Sequence, residues 1–144
     1  DRVKSTESAR SGIRLVEAEI QNRPRDSVSW QLKSWLHAVL GERDAAMATF
    51  ARAVAVAKEE GGTWDEELAR RSALGLYALL GDRKEAIAEA ARQLKLPDSF
   101  VNEFRASIEL VDIWDDPQFV ALLNDPSSNA PLPIEPKQVH LRSK

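Results

Sequence analysis

Apolar side chains recur along most of the chain at the three- and four-residue steps of an α-helix. The first such stripe contains Ala9, Ile13, Val16 and Ile20, and it stops before Pro24. Because residues three or four apart lie on the same side of a helix, each stripe predicts an amphipathic helix. No segment shows the period-two alternation of a half-buried strand. The pattern therefore predicts an all-α chain of about six to seven helices.

Glycines divide this pattern into segments. We predict a second helix over residues 28–40, stopped by Gly41, and a fourth over residues 65–80, stopped by Gly81. Glycine readily adopts the left-handed conformation that closes a helix. The glycine pair within residues 61–63 is predicted to separate the third helix from the fourth.

Acidic residues supply the predicted helix starts. Asp44 is the expected N-cap of the third helix, and Asp82 with Glu85 has the spacing of a capping box before the fifth. Asp116 before Pro117 predicts the start of a seventh helix, since proline suits the first turn. A sixth helix is predicted between the fifth and seventh, with its cap and inner face at Asp98 or Ser99, Phe100, Phe104 and Ile108.

The composition changes after Asp125. Four prolines, at positions 126, 131, 133 and 136, stand among serine and asparagine and exclude regular helix. Extended, polyproline-like backbone is the natural alternative. We therefore predict a helical domain over residues 1–126 and an extended tail over residues 127–144.

Composition and charge exclude several classes of function. The net charge of -3 and pI near 5.5 argue against a nucleic-acid partner, which calls for a basic face. No apolar run approaches the roughly 18 residues of a membrane span, and no signal peptide opens the chain. The first residue is Asp1, so we expect a piece of a longer protein. The compartment is left open, with the cytoplasm favoured.

Two stretches of the chain are similar to each other at a spacing of about forty residues. Each ends a helix, passes through Gly41 or Gly81, and places an alanine five residues later, at Ala46 or Ala86. This pattern resembles the tetratricopeptide repeat, a helix pair with small residues where the two helices touch. Trp30 and Phe50 match further aromatic positions of that repeat. The forty-residue spacing resembles the longer repeats of bacterial signalling proteins.

Residues 108–123 carry a second resemblance. An acidic stretch leads into Asp116, Pro117, Phe119, Leu122 and Leu123, similar to the ending of repeat regions fused to bacterial kinases, adenylate cyclases and winged-helix regulators. The two resemblances together imply antiparallel helix pairs stacked as a short right-handed superhelix. They also imply a scaffold, part of a larger bacterial regulatory protein, that binds a peptide or partner protein on its concave face. Self-association as a homodimer is the alternative.

The resemblance implies which residues line that concave face. They lie one turn apart on the first helix of each repeat. Trp35 is the most informative of them, because aromatic residues often dominate binding energy, although a core position for it stays open. Gln31 and Trp35 replace the Lys and Asn that family members use to grip a terminal carboxylate, so we do not expect that ligand. The expected groove residues are Gln31, Trp35, Ala38, Val39, Arg71, Gly75, Ala78 and Leu79.

Other candidate residues have plainer interpretations. Trp114 is expected to pack under the final helix, and His37 to be partly buried. Trp64, in the glycine turn, either contacts a partner as an exposed aromatic or folds onto the next helix, and we favour the second. The acidic residues near Asp112 lack the ligand spacing of a calcium loop, so we expect a solvated cap and no metal or cofactor. No catalytic motif is present, so we predict no enzyme. The tail carries Lys137, Arg142 and Lys144, and a further hypothesis places it along an acidic surface or in a neighbour's groove.

Overall fold

The chain folds entirely as helices over the part that the computed structural model describes, residues 2–96 and 101–129. No strand occurs in those two ranges, which confirms the all-α prediction for them. In chain order the helices are α1 (Arg2–Asn22), α2 (Ser27–Val39), α3 (Arg43–Arg71), α4 (Ala73–Leu79), α5 (Arg83–Gln93), α6 (Val101–Ala106) and α7 (Pro117–Asn124). Two 3-10 helices cover Ile108–Ile113 and Pro126–Asn129.

Two tight turns organise the middle of the chain and have the same geometry. Gly41 joins α2 to α3 with φ 74°, and Gly81 joins α4 to α5 with φ 76°. At both turns the glycine N–H donates to the carbonyl three residues earlier, and the next N–H donates to the carbonyl five residues earlier. These two bonds form a Schellman motif, which requires a left-handed residue and reverses the chain. The helices on either side of each turn pack against each other.

The remaining packing links these two helix pairs to each other and to the ends. Helix α1 packs on α2, and α2 contacts α4 as well as α3. The 3-10 helix Ile108–Ile113 packs on α4, and α7 packs on α5. The C-terminal elements therefore cover the second helix pair, while α1 covers one side of the first.

The core consists of two adjoining clusters. The smaller one surrounds Phe50 and Leu76, where the first pair meets α4. The larger one joins α4 and α5 to the C-terminal elements around Phe104, Ile113 and Phe119. Tyr77 packs against both clusters. The alanines that the repeat pattern placed at the helix contacts, Ala46 and Ala86, are fully buried, and so are Ala53 and Ala90 of the same two helices.

Several predicted boundaries are wrong. Helix α3 begins at Arg43, so Asp44 lies in its first turn rather than at its cap. The glycine pair does break the helix as predicted: Gly62, with φ 75° and ψ −152°, is not helical, and α3 consists of two helical parts that meet there in a kink. The expected helix over residues 65–80 is divided at Ser72, whose hydroxyl donates to the Ala69 carbonyl at 2.7 Å.

Of the predicted helix caps, some are confirmed and others are wrong. Asp116 caps α7 as predicted, accepting from the Gln118 N–H at 2.9 Å. The Asp82 side chain makes no cap hydrogen bond, because its carboxylate pairs with Arg43, the first residue of α3. Asp26, which the sequence pattern missed, caps α2 by accepting from the Val28 N–H at 3.2 Å.

The C-terminal elements depart further from the prediction. Helix α6 ends at Ala106 and a 3-10 helix follows, so Ile108 turns outward instead of continuing the stripe of Phe104. The tail does not begin as extended backbone, since Pro126–Asn129 forms a 3-10 turn. The predicted cap at Asp98 or Ser99, the Phe100 position and the rest of the tail, residues 130–144, lie outside the described residues.

Candidate binding face on helix α2

Two sides of helix α2 are fixed by the helices next to it. On the α1 side, Leu36 lies over Gly12, where an added Cβ would come within 3.1 Å of its Cδ1. Lys33 on the same side forms an ion pair with Glu17 at 2.8 Å. On the α3 side, the buried Ser34 hydroxyl donates to the Ala46 carbonyl at 3.0 Å. These contacts set the rotation of α2 about its axis.

The third side of α2 is apolar and open. Val28, Leu32 and Val39 are 67%, 51% and 47% exposed. Together with Trp35 they follow steps of four, three and four residues, the spacing of the apolar seam in a coiled coil. We call these four residues the α2 stripe. Gln31 lies beside it, and no charged side chain belongs to it, so the surface is suited to burial against another apolar surface.

Trp35 occupies both positions that the sequence left open. Its side chain packs against the core cluster that contains Ala38, Phe50 and Leu76. Trp35 also lines a cleft of about 300 Å³ between α2, α4 and the C-terminal elements. The side chain therefore connects the α2 stripe to this cleft.

The structure brings some of the expected groove residues together and separates others. Trp35, Arg71 and Gly75 line the same cleft. Gln31 is partly buried, and Val39 and Leu79 are exposed. Ala38 and Ala78 are core residues with almost no exposed surface, so neither forms part of the open face.

The C-terminal elements contribute cleft residues that the repeat pattern did not predict. Glu103 and Phe104 of α6 and Leu110 of the 3-10 helix complete the wall opposite Trp35. The sequence placed Phe104 on the inner face of the sixth helix but not in a cleft, because α6 joins the core cluster of α4 through tertiary contacts rather than through the repeat.

Arg71 sits at the joint between α3 and α4. Its carbonyl accepts from the Gln93 amide at 2.8 Å, and its Nε lies 3.9 Å from the Glu67 carboxylate. Gln93 also donates to Glu89 at 2.9 Å, which ties α5 to the joint. These contacts hold the backbone on one side of the cleft in place.

A second cleft, of about 340 Å³, is lined by apolar side chains and by charged side chains of α3 and α5. Arg92 bonds Glu67 of α3 at 2.8 Å and Glu89 of its own helix at 2.7 Å. The Glu89 and Glu67 carboxylates raise the pKa of Arg92 above its ordinary value. Arg92 therefore acts as an ionic link between the two helix pairs.

The tryptophans outside the core differ from expectation. Trp64, just after the kink in α3, and Trp114, after the 3-10 helix, are both exposed, so neither is a core residue. Trp30 is held by its indole N–H, which donates to the Pro24 carbonyl at 2.9 Å. His37 is partly buried as predicted, with Nδ1 2.6 Å from a Glu42 oxygen.

Within residues 2–96 and 101–129, none of the helices combines the length and the hydrophobicity of a membrane span. No group of three or more His, Cys, Asp or Glu side chains in the same ranges could hold a metal ion. In comparisons with known proteins, no family model, curated protein or solved structure matches the chain significantly.

Proposed function

We propose that this chain is a tetratricopeptide-like module that binds a partner protein on the open side of α2. The observation that carries the proposal is the α2 stripe, an uncharged apolar surface on a helix whose other sides are packed. Solvent exposure of Val28, Leu32 and Val39 has a hydrophobic cost, and burying such a patch is the usual driving force for association. The proposal assigns the chain a binding role and no catalysis.

The repeated turns support the family assignment within this proposal. The Schellman motifs at Gly41 and Gly81 are forty positions apart, and buried alanines recur at the same offset in α3 and α5. Stacking of such units as a right-handed superhelix, and membership in a larger bacterial regulatory protein, are further parts of the proposal. They rest on the resemblance of the repeat and of the ending at Asp116 and Pro117.

The spacing of the stripe favours an amphipathic helix as the bound segment. Its four-three-four steps match the apolar seam by which one helix packs lengthwise on another. The adjoining cleft beside Trp35 has room for one larger side chain of that partner. The expected ligand is thus a helix with apolar residues at the same steps and one bulky anchor.

A photo-crosslinking amino acid tests the proposal in cells that make the protein. Placed at Leu32 or Val39, it is expected to give the same protein adduct, identified by mass spectrometry. Placed at Leu15, a strongly exposed position on α1, it is the matched control. The purified partner should then lose at least about tenfold in affinity for Leu32→Arg, since a charge forced into an apolar interface costs more than about 1.4 kcal/mol. Identical adducts at Leu15 and Leu32 would refute the proposed face.

Self-association is the second candidate, and the same stripe supports it. Because the stripe carries no charge, two copies can meet there without repulsion, as the two-fold symmetric interface of a dimer requires. Light scattering over a wide concentration range distinguishes the candidates. A dimer that Leu32→Arg converts to monomer favours self-association, whereas a monomer throughout favours an outside partner.

A further inference from the structure

The 3-10 helix Ile108–Ile113 has three distinct edges. With three residues per turn, side chains three positions apart align along one edge. Leu110 and Ile113 form the buried edge, with 1% and 0% of their surfaces exposed. A second edge carries Ile108, Val111 and Trp114, which are 69%, 48% and 38% exposed. Six residues is long for a 3-10 helix, so tertiary packing of the buried edge is what holds this geometry.

The third edge is acidic. Asp112 and Asp115 are exposed, and neither side chain forms an ion pair or hydrogen bond within the described residues. Arg105 is the one basic residue in positions 101–129 of the sequence, and its guanidinium donates to the Leu123 carbonyl and the Asn124 side chain instead. An apolar edge and an uncompensated acidic edge therefore run side by side. We call this surface the 108–115 ridge.

A segment of the same chain has the complementary chemistry. Residues 137–144 contain Lys137, Arg142 and Lys144, with no acidic residue among them. Val139 and Leu141 are interspersed among these basic residues, so the segment offers apolar and cationic groups together. The cationic groups complement the acidic edge of the ridge, and the apolar groups complement its apolar edge.

The connecting chain is long enough for the segment to reach the ridge. Helix α7 follows the ridge directly, and its 8 residues are about 12 Å long. Residues 130–136 can span at most about 24 Å when extended, twice the length of α7. The chain can therefore return along α7 to the ridge.

We infer that residues 137–144 bind the 108–115 ridge of their own chain. The apolar side chains cover Val111 and Trp114, and the basic side chains neutralise Asp112 and Asp115. The inference is independent of the α2 stripe and of the function proposed for it.

A spin label tests the inference, and the chain is well suited because it contains no cysteine. The label is attached to the variant Leu141→Cys of the full chain, and the indole N–H signals of the tryptophans are followed by NMR. We expect the Trp114 signal to lose most of its intensity, since the label lies beside it. Trp64, which is also exposed but lies on α3, is the matched control and should keep its intensity.

Charge reversal and mixing complete the test. Asp112→Lys with Asp115→Lys should restore the Trp114 signal, and so should salt at about 1 M, where screening acts within about 3 Å. Spin-labelled chain mixed with isotope-labelled chain should leave Trp114 of the latter unchanged. Three outcomes would overturn the inference: an unaffected Trp114 in the labelled chain, loss of the Trp35 signal instead, or loss that occurs only between different chains.

Discussion

The two helix pairs have turns of the same geometry, but different elements cover their outer sides. In the first pair, α2 and α3, the outer side of α2 is open and carries the α2 stripe. In the second pair, α4 and α5, the 3-10 helix packs on α4 and α7 packs on α5. The backbone hydrogen bonds of the two turns are the same, so local sequence does not cause the difference. Contacts made by later parts of the chain decide which repeat keeps a free surface.

Side chains at equivalent positions follow this difference. Trp35 in the first pair corresponds to Gly75 in the second, forty positions later, and both line the same cleft. A large side chain thus stands where the surface is open, and the smallest one where the C-terminal elements approach. Phe50 and Ala90 are also forty positions apart, and Ala90 is fully buried. The repeat therefore conserves the turn while its side chains adapt to the neighbouring elements.

The largest effect should come from removing the cover of the second pair. Phe119 of α7 is fully buried in the larger core cluster. Phe119→Ala should lower the free energy of unfolding by about 3–5 kcal/mol, because a cavity replaces an aromatic ring. Chemical denaturation measures the change.

The adjacent Val120, which is exposed, supplies the control for that experiment. Val120→Ala should change stability by less than about 0.5 kcal/mol. Hydrogen exchange should show α4 and α5 opening before α2 in the Phe119→Ala variant. Equal loss of protection in both pairs would contradict the conclusion that the C-terminal elements cover the second pair.

The two turns should respond alike. Gly41→Ala and Gly81→Ala should each lower the free energy of unfolding by about 1–2 kcal/mol, because both residues have a left-handed backbone. The added Cβ meets no atom within 4 Å at either position, so no steric clash adds to this cost. Asparagine, which tolerates this conformation better, should cost less at both positions. Thermal or chemical denaturation measures these changes in the free energy of unfolding. Costs that differ widely between the two glycines would mean that the turns are not equivalent.

A smaller effect is expected where Arg92 links the pairs. Arg92→Met removes the bonds to Glu67 and Glu89 and should cost about 1 kcal/mol or less, since the guanidinium is partly exposed. Arg83→Met, on an exposed residue of the same helix, is the control. A double-mutant cycle with Glu67→Gln isolates the link between the pairs. Zero coupling energy in that cycle would show that the pairs are joined by apolar contacts alone.

The smallest effect concerns the docking of α1 on the first pair. The hydrogen bond and charge of Lys33 lower the pKa of Glu17 below its ordinary value of 4.5. A lowered pKa in the folded chain means that this contact stabilises the fold above pH 4.5 and is lost as pH falls through the folded pKa. In Lys33→Met, NMR titration should show the Glu17 pKa rising toward 4.5. A Glu17 pKa that does not move would mean that Lys33 is not its partner in solution.

The helices and turns of the first pair could be predicted from sequence because local rules act alone there. The apolar steps of α2 and the positive φ of Gly41 both follow from residue type. The break at Ser72 could not be predicted, since no glycine or proline marks it and the apolar pattern runs through it. Asp82 does not act as the expected cap because its carboxylate pairs with Arg43 of α3, which is distant in sequence.

The candidate site was predictable only in part, for a similar reason. The repeat pattern identified Trp35, Arg71 and Gly75, which line one cleft. It placed Ala38 and Ala78 in the groove as well, although small residues at helix contacts belong to the core. Glu103, Phe104 and Leu110 reach the cleft through packing that no repeat position specifies. Trp114 was expected to be buried because it is hydrophobic, but hydrophobicity alone does not determine which element lies opposite a side chain.

The kink at Gly62 has a consequence for how the chain is cut. Residues 58–65 are all exposed, and the backbone of Gly62 has left the helical conformation. Proteases need an exposed segment that can leave its regular structure, so a limited digest should cleave first within this stretch. The cut falls within α3, while the α2–α4 contact and the Arg43–Asp82 ion pair still join the parts on either side of it. The nicked chain should therefore migrate as one particle under native conditions and as two fragments once denatured.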